Sequence, residues 1–183
     1  MKKFQKTVVE IFRDIKQNNP SSAVSIIPVV HNGTIISYLR AVTRTSARNP
    51  EEIKHLAKWR KQSEQWFPTQ FRVTLSGTKK WAKEQLLDKE DRILFMIEDL
   101  NGIAIGHVGL YRFDFDRKTC EIDNIIRGEK GIPGVMTSAI TALCRWGEEE
   151  LGIQAYTLRC KVDNTKALAL YKRCGFREYE KTH

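Results

Sequence analysis

The segment from Cys120 to Leu151 holds the most informative pattern of residue types in the chain. A strand is predicted to end at Arg127, a glycine-bearing turn follows over residues 128–134, and a helix is predicted to begin at about Pro133. Such a junction points unpaired backbone N–H groups and the positive end of a helix dipole at one place. Glycines also let a phosphate approach the backbone closely. The pattern predicts an anion site, although many similar turns bind nothing.

The strand that enters this turn carries candidate acid–base residues. Side chains alternate along a strand, so Glu121, Asp123, Ile125 and Arg127 are predicted to share one face. Amines are largely protonated at neutral pH, and a nearby carboxylate can act as the general base that frees them for attack. Glu121 and Asp123 are both candidates, and His107 on the neighbouring predicted strand is a third. The alternative for Glu121 is a solvated strand residue.

Hydrophobic periodicity and breaker residues predict one mixed pattern of strands and helices around this segment. The first expected elements are a helix over 4–17, strands over 25–30 and 34–42 joined by a hairpin turn at Asn32-Gly33, a helix starting at Asn49-Pro50 and a helix over 78–87. Three strands over 92–98, 103–115 and 119–127 follow and are expected to form an antiparallel meander. The last expected elements are a helix over 133–151, a strand over 156–162, a helix over 164–173 and a strand over 176–180. The breaker cluster at 18–22 predicts an accessory helix and linker over residues 1–22 and a main domain over residues 23–183.

The connection between the two central helices contains three aromatic residues, Trp66, Phe67 and Phe71. They can form a stacking surface for a substrate ring, or they can anchor the loop to the core. The sequence leaves both interpretations open.

Composition narrows the classes of partner. The net charge of +9 suits nucleic acid, anionic lipid or phosphorylated small molecules equally well. The four cysteines form no C-x-x-C pair, so neither a metal site nor a disulfide framework is expected. No apolar run is long enough to span a membrane, and charged residues interrupt any signal-peptide core, so we expect a cytoplasmic protein.

The region after the predicted strand over 156–162 carries the clearest family signal. It resembles the second motif of the GCN5-related N-acetyltransferase (GNAT) family at Asn164, Ala167, Leu170, Tyr171, Cys174, Gly175 and Phe176. The resemblance extends over about residues 92–176, follows only the order of elements over 34–87, and does not cover residues 1–22. It implies an α/β (mixed α+β) fold with a central mixed sheet, splayed parallel strands and helices on both faces, in addition to the N-terminal helix.

This resemblance also implies how acetyl-CoA binds. Its pantetheine arm is expected in a gap between the parallel strands over 119–127 and 156–162, paired with the backbone of Ile125 and Arg127. A backbone N–H near Ile125 or Ile126 is expected to meet the oxyanion. Unpaired strand amides are suitable partners for an amide-bearing arm.

Individual side chains take roles from the same resemblance. Tyr171 is expected to point at the thioester sulfur and protonate the leaving thiolate, the alternative being a core aromatic residue. Asn164 is an N-cap by propensity and is also expected to contact the cofactor. The full set of expected cofactor contacts is Ile125, Ile126, Arg127, Lys130, Gly131, Pro133, Gly134, Val135, Asn164, Lys166, Ala167 and Tyr171.

The phosphate-binding turn departs from the family pattern. The pattern reads Gln or Arg, two residues, Gly, one residue, then Gly or Ala, and this chain has Glu129, Ile132 and Gly134 at those positions. Backbone amides over residues 130–135 can rebuild a cradle. The string over 122–136 resembles a branch associated with surface-polysaccharide and nucleotide-sugar gene products.

The predicted function is acetyl-CoA-dependent N-acetylation of a small amine, with an amino sugar or a nucleotide-linked amino sugar as the candidate acceptor. Protein or peptide N-acetylation is the alternative within the enzyme class. From other classes, a basic nucleic-acid-binding module lacks any supporting motif, and the departures at Glu129 and Ile132 also fit a catalytically inactive CoA-binding domain. A homodimer is the candidate assembly.

Overall fold

The computed structural model describes residues 1–17, 26–67 and 72–179. In chain order the elements are α1 (Lys3–Lys16), β1 (Ile26–His31), β2 (Thr34–Ala41), α2 (Pro50–Gln62), α3 (Leu75–Trp81), β3 (Ile93–Glu98), β4 (Ala104–Asp114), β5 (Thr119–Arg127), α4 (Val135–Trp146), β6 (Ala155–Thr157) and α5 (Thr165–Arg173). Helices α3 and α4 continue into wider π-type turns over Ala82–Leu87 and Gly147–Leu151.

Local sequence signals explain several element boundaries. The β1–β2 turn places Asn32 and Gly33 at positive φ angles of 49° and 78°, as a tight two-residue hairpin requires. The side chain of Asn49 accepts a hydrogen bond from the Glu51 amide at 3.0 Å and caps α2, whose first residue is Pro50. The predictions of this hairpin and this helix start are confirmed.

All six strands form one sheet in sequential order, β1-β2-β3-β4-β5-β6. Every neighbouring pair is antiparallel except β5 and β6, which are parallel. The predicted mixed sheet and antiparallel meander are therefore confirmed. The sheet brings β5 to the boundary between its antiparallel and parallel parts.

Helices cover both faces of the sheet, and β3 shows the division. Ile93, Phe95 and Ile97 belong to the main core, together with residues of α1 and α4. Leu94 and Met96 face the opposite way, into a second core with residues of α2 and the turns after α3. Buried on both faces, β3 is the central strand of the fold.

The N-terminal helix is part of the main core. Phe4, Val8, Phe12 and Ile15 recur on one side of α1 and are all buried. Phe12 packs edge-on against Phe113 of β4, with ring centroids 5.7 Å apart. This face anchors α1 to the end of β4.

Two strand predictions at the C-terminal end are wrong. The strand expected over 156–162 is only β6, which ends at Thr157. The last strand expected over 176–180 is absent from Phe176–Tyr179, and Glu180 lies outside the described residues. Beyond Thr157 the described chain therefore gives β5 no further strand partner on this side.

Two properties of the described residues bear on membrane insertion and metal binding. Within residues 1–17, 26–67 and 72–179, no helix has the length and apolar character needed to cross a membrane. In the same residues, no group of three His, Cys, Asp or Glu side chains is placed to hold a metal ion.

The contact between α2 and the end of β5 gives a test of the packing. A Cβ atom at Gly128 would overlap the indole ring of Trp59, which is completely buried. We expect Gly128→Ala to lower the free energy of unfolding by about 1–3 kcal/mol, because a rigid ring cannot yield. Denaturant unfolding measures the loss.

Gly131→Ala is the matched control in the same turn, since the atom nearest to its added Cβ would be the end of the Ile105 side chain, at 3.2 Å. Equal stability losses in the two variants would contradict the close approach of Trp59 to Gly128.

Candidate active site

A cavity opens where β5 and β6 separate. The two strands pair only at Thr119 with Ala155, Cys120 with Tyr156 and Glu121 with Thr157. Beyond these pairs a cavity of about 440 Å³ lies beside β5. Its walls come from β4, β5, α5, the end of α2 and the region around α3. The volume is within the range of small-molecule sites.

An extra residue in β5 shapes the cavity wall. His107 pairs with Ile126 and Gly109 pairs with Asp123, so β5 advances by three residues where β4 advances by two. The bulge contains Asn124, whose φ angle is 51°. All residues from Glu121 to Ile126 line the cavity, because this edge of β5 has no strand partner after Glu121 in the described part of the chain. The bulge changes the side-chain directions instead, since Ile122 packs in the main core and Ile126 in the second core.

His107 holds this bulge from behind. Its Nδ1 lies 2.6 Å from the carbonyl oxygen of Asn124, and the ring is fully buried beside Trp59, with ring centroids 6.0 Å apart. Burial lowers the pKa of His107 to about 4, so the imidazole is neutral at physiological pH. Since a carbonyl only accepts, Nδ1 carries the proton. His107 does not line the cavity, so its position favours structural support over the predicted role as a base.

Glu121 is the cavity carboxylate with a raised pKa. Its two oxygens accept hydrogen bonds from Arg112 and Arg159, each at 2.9 Å. Burial raises the pKa of the Glu121 carboxyl, and the charge of Arg112 partly offsets that effect. Arg112 has a φ angle of 51° at a second irregularity in the β4–β5 ladder, which brings it onto Glu121.

Asp123 is bound more tightly. Its Oδ2 accepts a hydrogen bond from Arg92 at 2.6 Å, and its Oδ1 accepts one from the side chain of Asn124 at 2.5 Å. Both Arg92 and Asp123 are mostly buried. These contacts occupy both carboxylate oxygens with hydrogen-bond donors.

Arginine and aromatic side chains form the wall opposite β5. The guanidinium of Arg92 lies 4.3 Å from the ring centroid of Tyr111, and that of Arg60 lies 3.9 Å from the ring centroid of Trp81. Phe67 is the second ring beside Arg60, at 5.4 Å. These stacked contacts hold the two guanidinium groups against flat surfaces. We call Arg60, Phe67, Trp81, Arg92 and Tyr111 the arginine–aromatic wall.

Helix α5 closes the remaining side. The side chain of Asn164 accepts a hydrogen bond from the Ala167 amide at 3.2 Å, which confirms the predicted N-cap. Asn164, Ala167 and Tyr171 all line the cavity. Burial raises the pKa of the Tyr171 hydroxyl well above its ordinary value, so this side chain keeps its proton at neutral pH.

The turn between β5 and α4 is fastened to α2 and β4. The amides of Gly128 and Glu129 both donate to the carbonyl of Ile105, at 2.9 and 3.0 Å. The Glu129 carboxylate accepts hydrogen bonds from Lys58 at 2.5 Å and from the Trp59 indole at 3.0 Å. These bonds hold the start of the turn in place before α4 begins.

The next three amides of the turn are available to a ligand. The backbone N–H groups of Lys130, Gly131 and Ile132 donate to no other residue in the described part of the chain. Gly134, with a φ angle of 80°, begins the helix. This arrangement suits the predicted anion site.

The structure brings together only part of the predicted site. Those predicted residues that line the cavity are Glu121, Asp123, Ile125, Ile126, Asn164, Ala167 and Tyr171. Those that do not are His107, Arg127, Lys130, Gly131, Pro133, Gly134, Val135 and Lys166. Apart from His107 and Lys166, the second group belongs to the end of β5, its turn and the start of α4.

Sequence reasoning missed most of the cationic lining. Arg92, Arg112 and Arg159 line the cavity but come from separate parts of the chain. The aromatic loop gave the nearest signal: Trp66 and Phe67 line the cavity, whereas Phe71 lies outside the described residues. No local sequence pattern predicts these arginines as site residues, because they come together only when the sheet forms.

Comparisons with known proteins agree with this geometry. A family model described as an acetyltransferase (GNAT) domain matches residues 44–177. A search of curated proteins found no match. Three solved structures illustrate the likeness in fold.

A probable acetyltransferase of the GNAT family from Chromobacterium violaceum has a TM-score of 0.66 at 16% identity, over 85% of this chain and 75% of that one. RimL, a ribosomal L7/L12 alpha-N-protein acetyltransferase solved in complex with coenzyme A, has a TM-score of 0.66 at 20% identity, over 81% and 82%. SpeG, a spermidine/spermine N-acetyltransferase from Vibrio cholerae, has a TM-score of 0.62 at 19% identity, over 78% and 80%.

The burial of His107 makes stability depend on pH. The unfolded chain takes up a proton at this histidine near pH ~6.5, whereas the folded protein resists protonation until about pH 4. The unfolded state therefore binds more protons in this window, and the free energy of unfolding falls as the pH drops through it. Between about pH 7 and pH 4.5 the loss from this residue is about 2 kcal/mol.

The control is His107→Asn, which keeps a donor for the Asn124 carbonyl but does not titrate. Denaturant unfolding of both proteins across this pH range isolates the histidine, because the other titrating groups cancel in the difference. Parallel losses of stability in the two proteins would show that His107 is protonated, or accessible to water, in the folded state.

Proposed function

Since the chain belongs to the GNAT acetyltransferase family, we propose that it transfers the acetyl group of acetyl-CoA to the amine of a small molecule in the cavity beside β5. The separation of β5 and β6 after Glu121 carries this proposal. It leaves one edge of β5 open over the residues that line the cavity, and an open strand edge can pair with an amide-bearing arm.

The residues present fit acetyl-CoA at two places. Ile125 and Ile126 offer backbone groups on the open edge of β5, with Asn164 and Ala167 across the cavity. The unpaired amides of Lys130 and the two following residues would hold the diphosphate at the start of α4. Acetyl-CoA supplies an activated acetyl thioester when it is bound.

Glu121 is the proposed general base. It lines the cavity, and burial raises its pKa toward the range in which a carboxylate accepts a proton usefully. Both oxygens of Asp123 already accept hydrogen bonds from Arg92 and Asn124, so Asp123 is the second candidate for the base. Glu121 would accept the proton of the attacking amine as the new nitrogen–carbon bond forms.

Tyr171 is the proposed hydrogen-bond donor to the leaving sulfur. Its raised pKa keeps the hydroxyl protonated, but a thiol has a pKa of only ~8.5, so full transfer of the proton is uphill. The hydroxyl therefore acts by stabilising the negative charge on the sulfur as the carbon–sulfur bond breaks. A backbone N–H near Ile125, in the bulge, would stabilise the carbonyl oxygen.

The proposed acceptor is a small amine, with an amino sugar or a nucleotide-linked amino sugar as the leading candidate. Trp66 and Phe67, which follow α2, line the cavity and offer aromatic surfaces on which a sugar or base can stack. The similarity in fold to RimL, a protein acetyltransferase by name, makes a peptide N-terminus the second candidate.

Thermal shift with acetyl-CoA, followed by an assay of thiol release with amino sugars and peptides, tests this function. We expect stabilisation by acetyl-CoA and turnover with an amino sugar. If no acyl-CoA stabilises the protein, neither the proposed acetyltransferase activity nor the alternative of an inactive CoA-binding domain holds.

Tyr171→Phe tests the proposed donor. We expect turnover to fall by about 10²-fold, because one hydrogen bond to the developing charge is lost, while stabilisation by acetyl-CoA changes far less. Steady-state thiol release gives the rate, and thermal shift gives binding.

Tyr156→Phe is the matched control. The Tyr156 hydroxyl donates to the Cys144 carbonyl at 2.6 Å and does not line the cavity, so its loss should reduce stability and leave turnover intact. Equal turnover in Tyr171→Phe and the unmodified protein would remove Tyr171 from the mechanism.

A pair of isosteric variants separates the two carboxylates. Glu121→Gln should lower kcat/KM by about 10²-fold and abolish the decline in rate at acidic pH, since that decline reports protonation of the base. Asp123→Asn should keep the acidic decline. The pH dependence of kcat/KM is the measurement, and the reverse pattern would assign the base to Asp123.

A further inference from the structure

The cavity carries more positive than negative charge. Among the residues that the structure describes, its charged lining comprises Arg60, Arg92, Arg112 and Arg159 against Glu121 and Asp123, an excess of two positive charges. Residues 68–71, which lie between α2 and α3 outside the described part of the chain, contain no ionisable side chain, so they leave this balance unchanged.

One of these two excess charges, that of Arg60, is buried at the arginine–aromatic wall, where Arg92 is paired with Asp123. Arg60 is 5% exposed and lies against Trp81, close enough to Arg92 for the two charges to interact. Burial and the charge of Arg92, partly offset by Asp123, lower the pKa of Arg60 to about 10. An anion bound at the wall would stabilise the charged form of these guanidinium groups.

This wall is separate from the turn that would hold the cofactor diphosphate. Arg92 bonds to Asp123, and the stretch from Asp123 to Arg127 lies opposite only three residues of β4 because of the bulge, a distance of about 10 Å at ~3.3 Å per residue. The start of α4 lies beyond Arg127. One bound diphosphate at that turn therefore leaves the arginine–aromatic wall to a second ligand.

We propose that the acceptor amine carries a phosphate or diphosphate group, and that Arg60 and Arg92 bind this group while the amine faces Glu121. This inference rests on the proposed function and specifies its substrate class. A phosphate monoester or a sugar-linked diphosphate has a charge of about −2, which matches the excess of two positive charges better than one carboxylate does. The planar guanidinium groups suit phosphate oxygens geometrically.

The same charges disfavour a polycationic acceptor. SpeG, similar in fold, is by name a spermidine/spermine acetyltransferase. In this chain a polyamine would meet four arginines at the cavity lining, and like charges repel in a partly desolvated site. The positive lining of this cavity therefore makes it a poor site for a polyamine.

Matched acceptors test the inference with the unmodified protein. With acetyl-CoA saturating, so that the proposed cofactor cradle is filled, kcat/KM is compared for glucosamine, glucosamine 6-phosphate, UDP-glucosamine and spermidine. We expect at least one phosphorylated amine to exceed glucosamine by about ten- to a hundredfold, the range for charge-assisted hydrogen bonds. Spermidine should be the poorest acceptor.

Glucosamine 6-phosphate and UDP-glucosamine also distinguish recognition of a phosphate group alone from recognition of a nucleotide. Equal values for glucosamine 6-phosphate and UDP-glucosamine would indicate recognition of phosphate alone. A higher value for UDP-glucosamine would indicate that the nucleotide adds contacts. Turnover of glucosamine or spermidine that equals or exceeds both phosphorylated amines would overturn the inference and leave the acetyltransferase function standing.

A variant locates the anion site. Arg60→Met removes the charge but keeps apolar contact with Trp81, and it should reduce the preference for the phosphorylated amine by about tenfold. The control is Arg117→Met, which changes the net charge equally at a residue that is 84% exposed and does not line the cavity. An unchanged preference in folded Arg60→Met, or the same loss in both variants, would contradict the assignment. If Arg60→Met does not fold, the comparison of acceptors with the unmodified protein decides the inference.

Discussion

The hydrogen bond from His107 to the carbonyl of Asn124 supports the wall on which the proposed chemistry depends. In a regular strand, every second side chain of β5 would face the cavity. The left-handed conformation of Asn124 costs about 1 kcal/mol or more, and a buried donor that no solvent competes for offsets that cost. The bulge then changes the face of the sheet on which the following residues pack, since Ile122 lies in the main core and Ile126 in the second core. The shape of the site thus depends on a side chain that lies outside it.

The carboxylates and the arginines of the cavity form one electrostatic unit. Each carboxylate on β5 is neutralised by guanidinium groups from other elements, as buried ions require. Glu121 has two such partners, so one of the two excess positive charges accompanies this carboxylate, and Arg60 carries the other. The contacts of the proposed base therefore add to the positive charge of the cavity, and a change at Glu121 also changes how strongly the cavity attracts anions.

The sequence predicted the parts of the site that are local. Alternation placed Glu121 and Asp123 at the cavity, and capping chemistry placed Asn164 at the start of α5. The predicted shared face does not continue beyond Asp123, because Ile125 packs against the main core and Arg127 does not line the cavity. The sequence did not predict the bulge, since Asn is only one of several residues that tolerate a left-handed conformation. The burial of His107 had a signal that was overlooked: this residue lies in an almost continuously apolar run of β4, typical of a strand covered on both faces.

The non-local parts have a different origin. Arg60, Arg92 and Arg159 are far apart in sequence and meet only because α2, β3 and the chain after β6 surround β5. The extent of β6 was also unpredictable from propensity. The residues after Thr157 are as apolar as a strand requires, but a strand persists only where a neighbour pairs with it.

The turn before α4 shows how tertiary contacts can replace a family pattern. Glu129 stands where the pattern has Gln or Arg, yet its carboxylate is bound to Lys58 and Trp59 of α2 rather than directed at a ligand. With the Gly128 and Glu129 amides bound to Ile105, the first part of the turn is fixed by the fold, and the next three amides remain for an anion. A side chain that would repel a phosphate is thereby neutralised by its own protein. The departure at Glu129 consequently changes how the turn is held more than what the turn can bind.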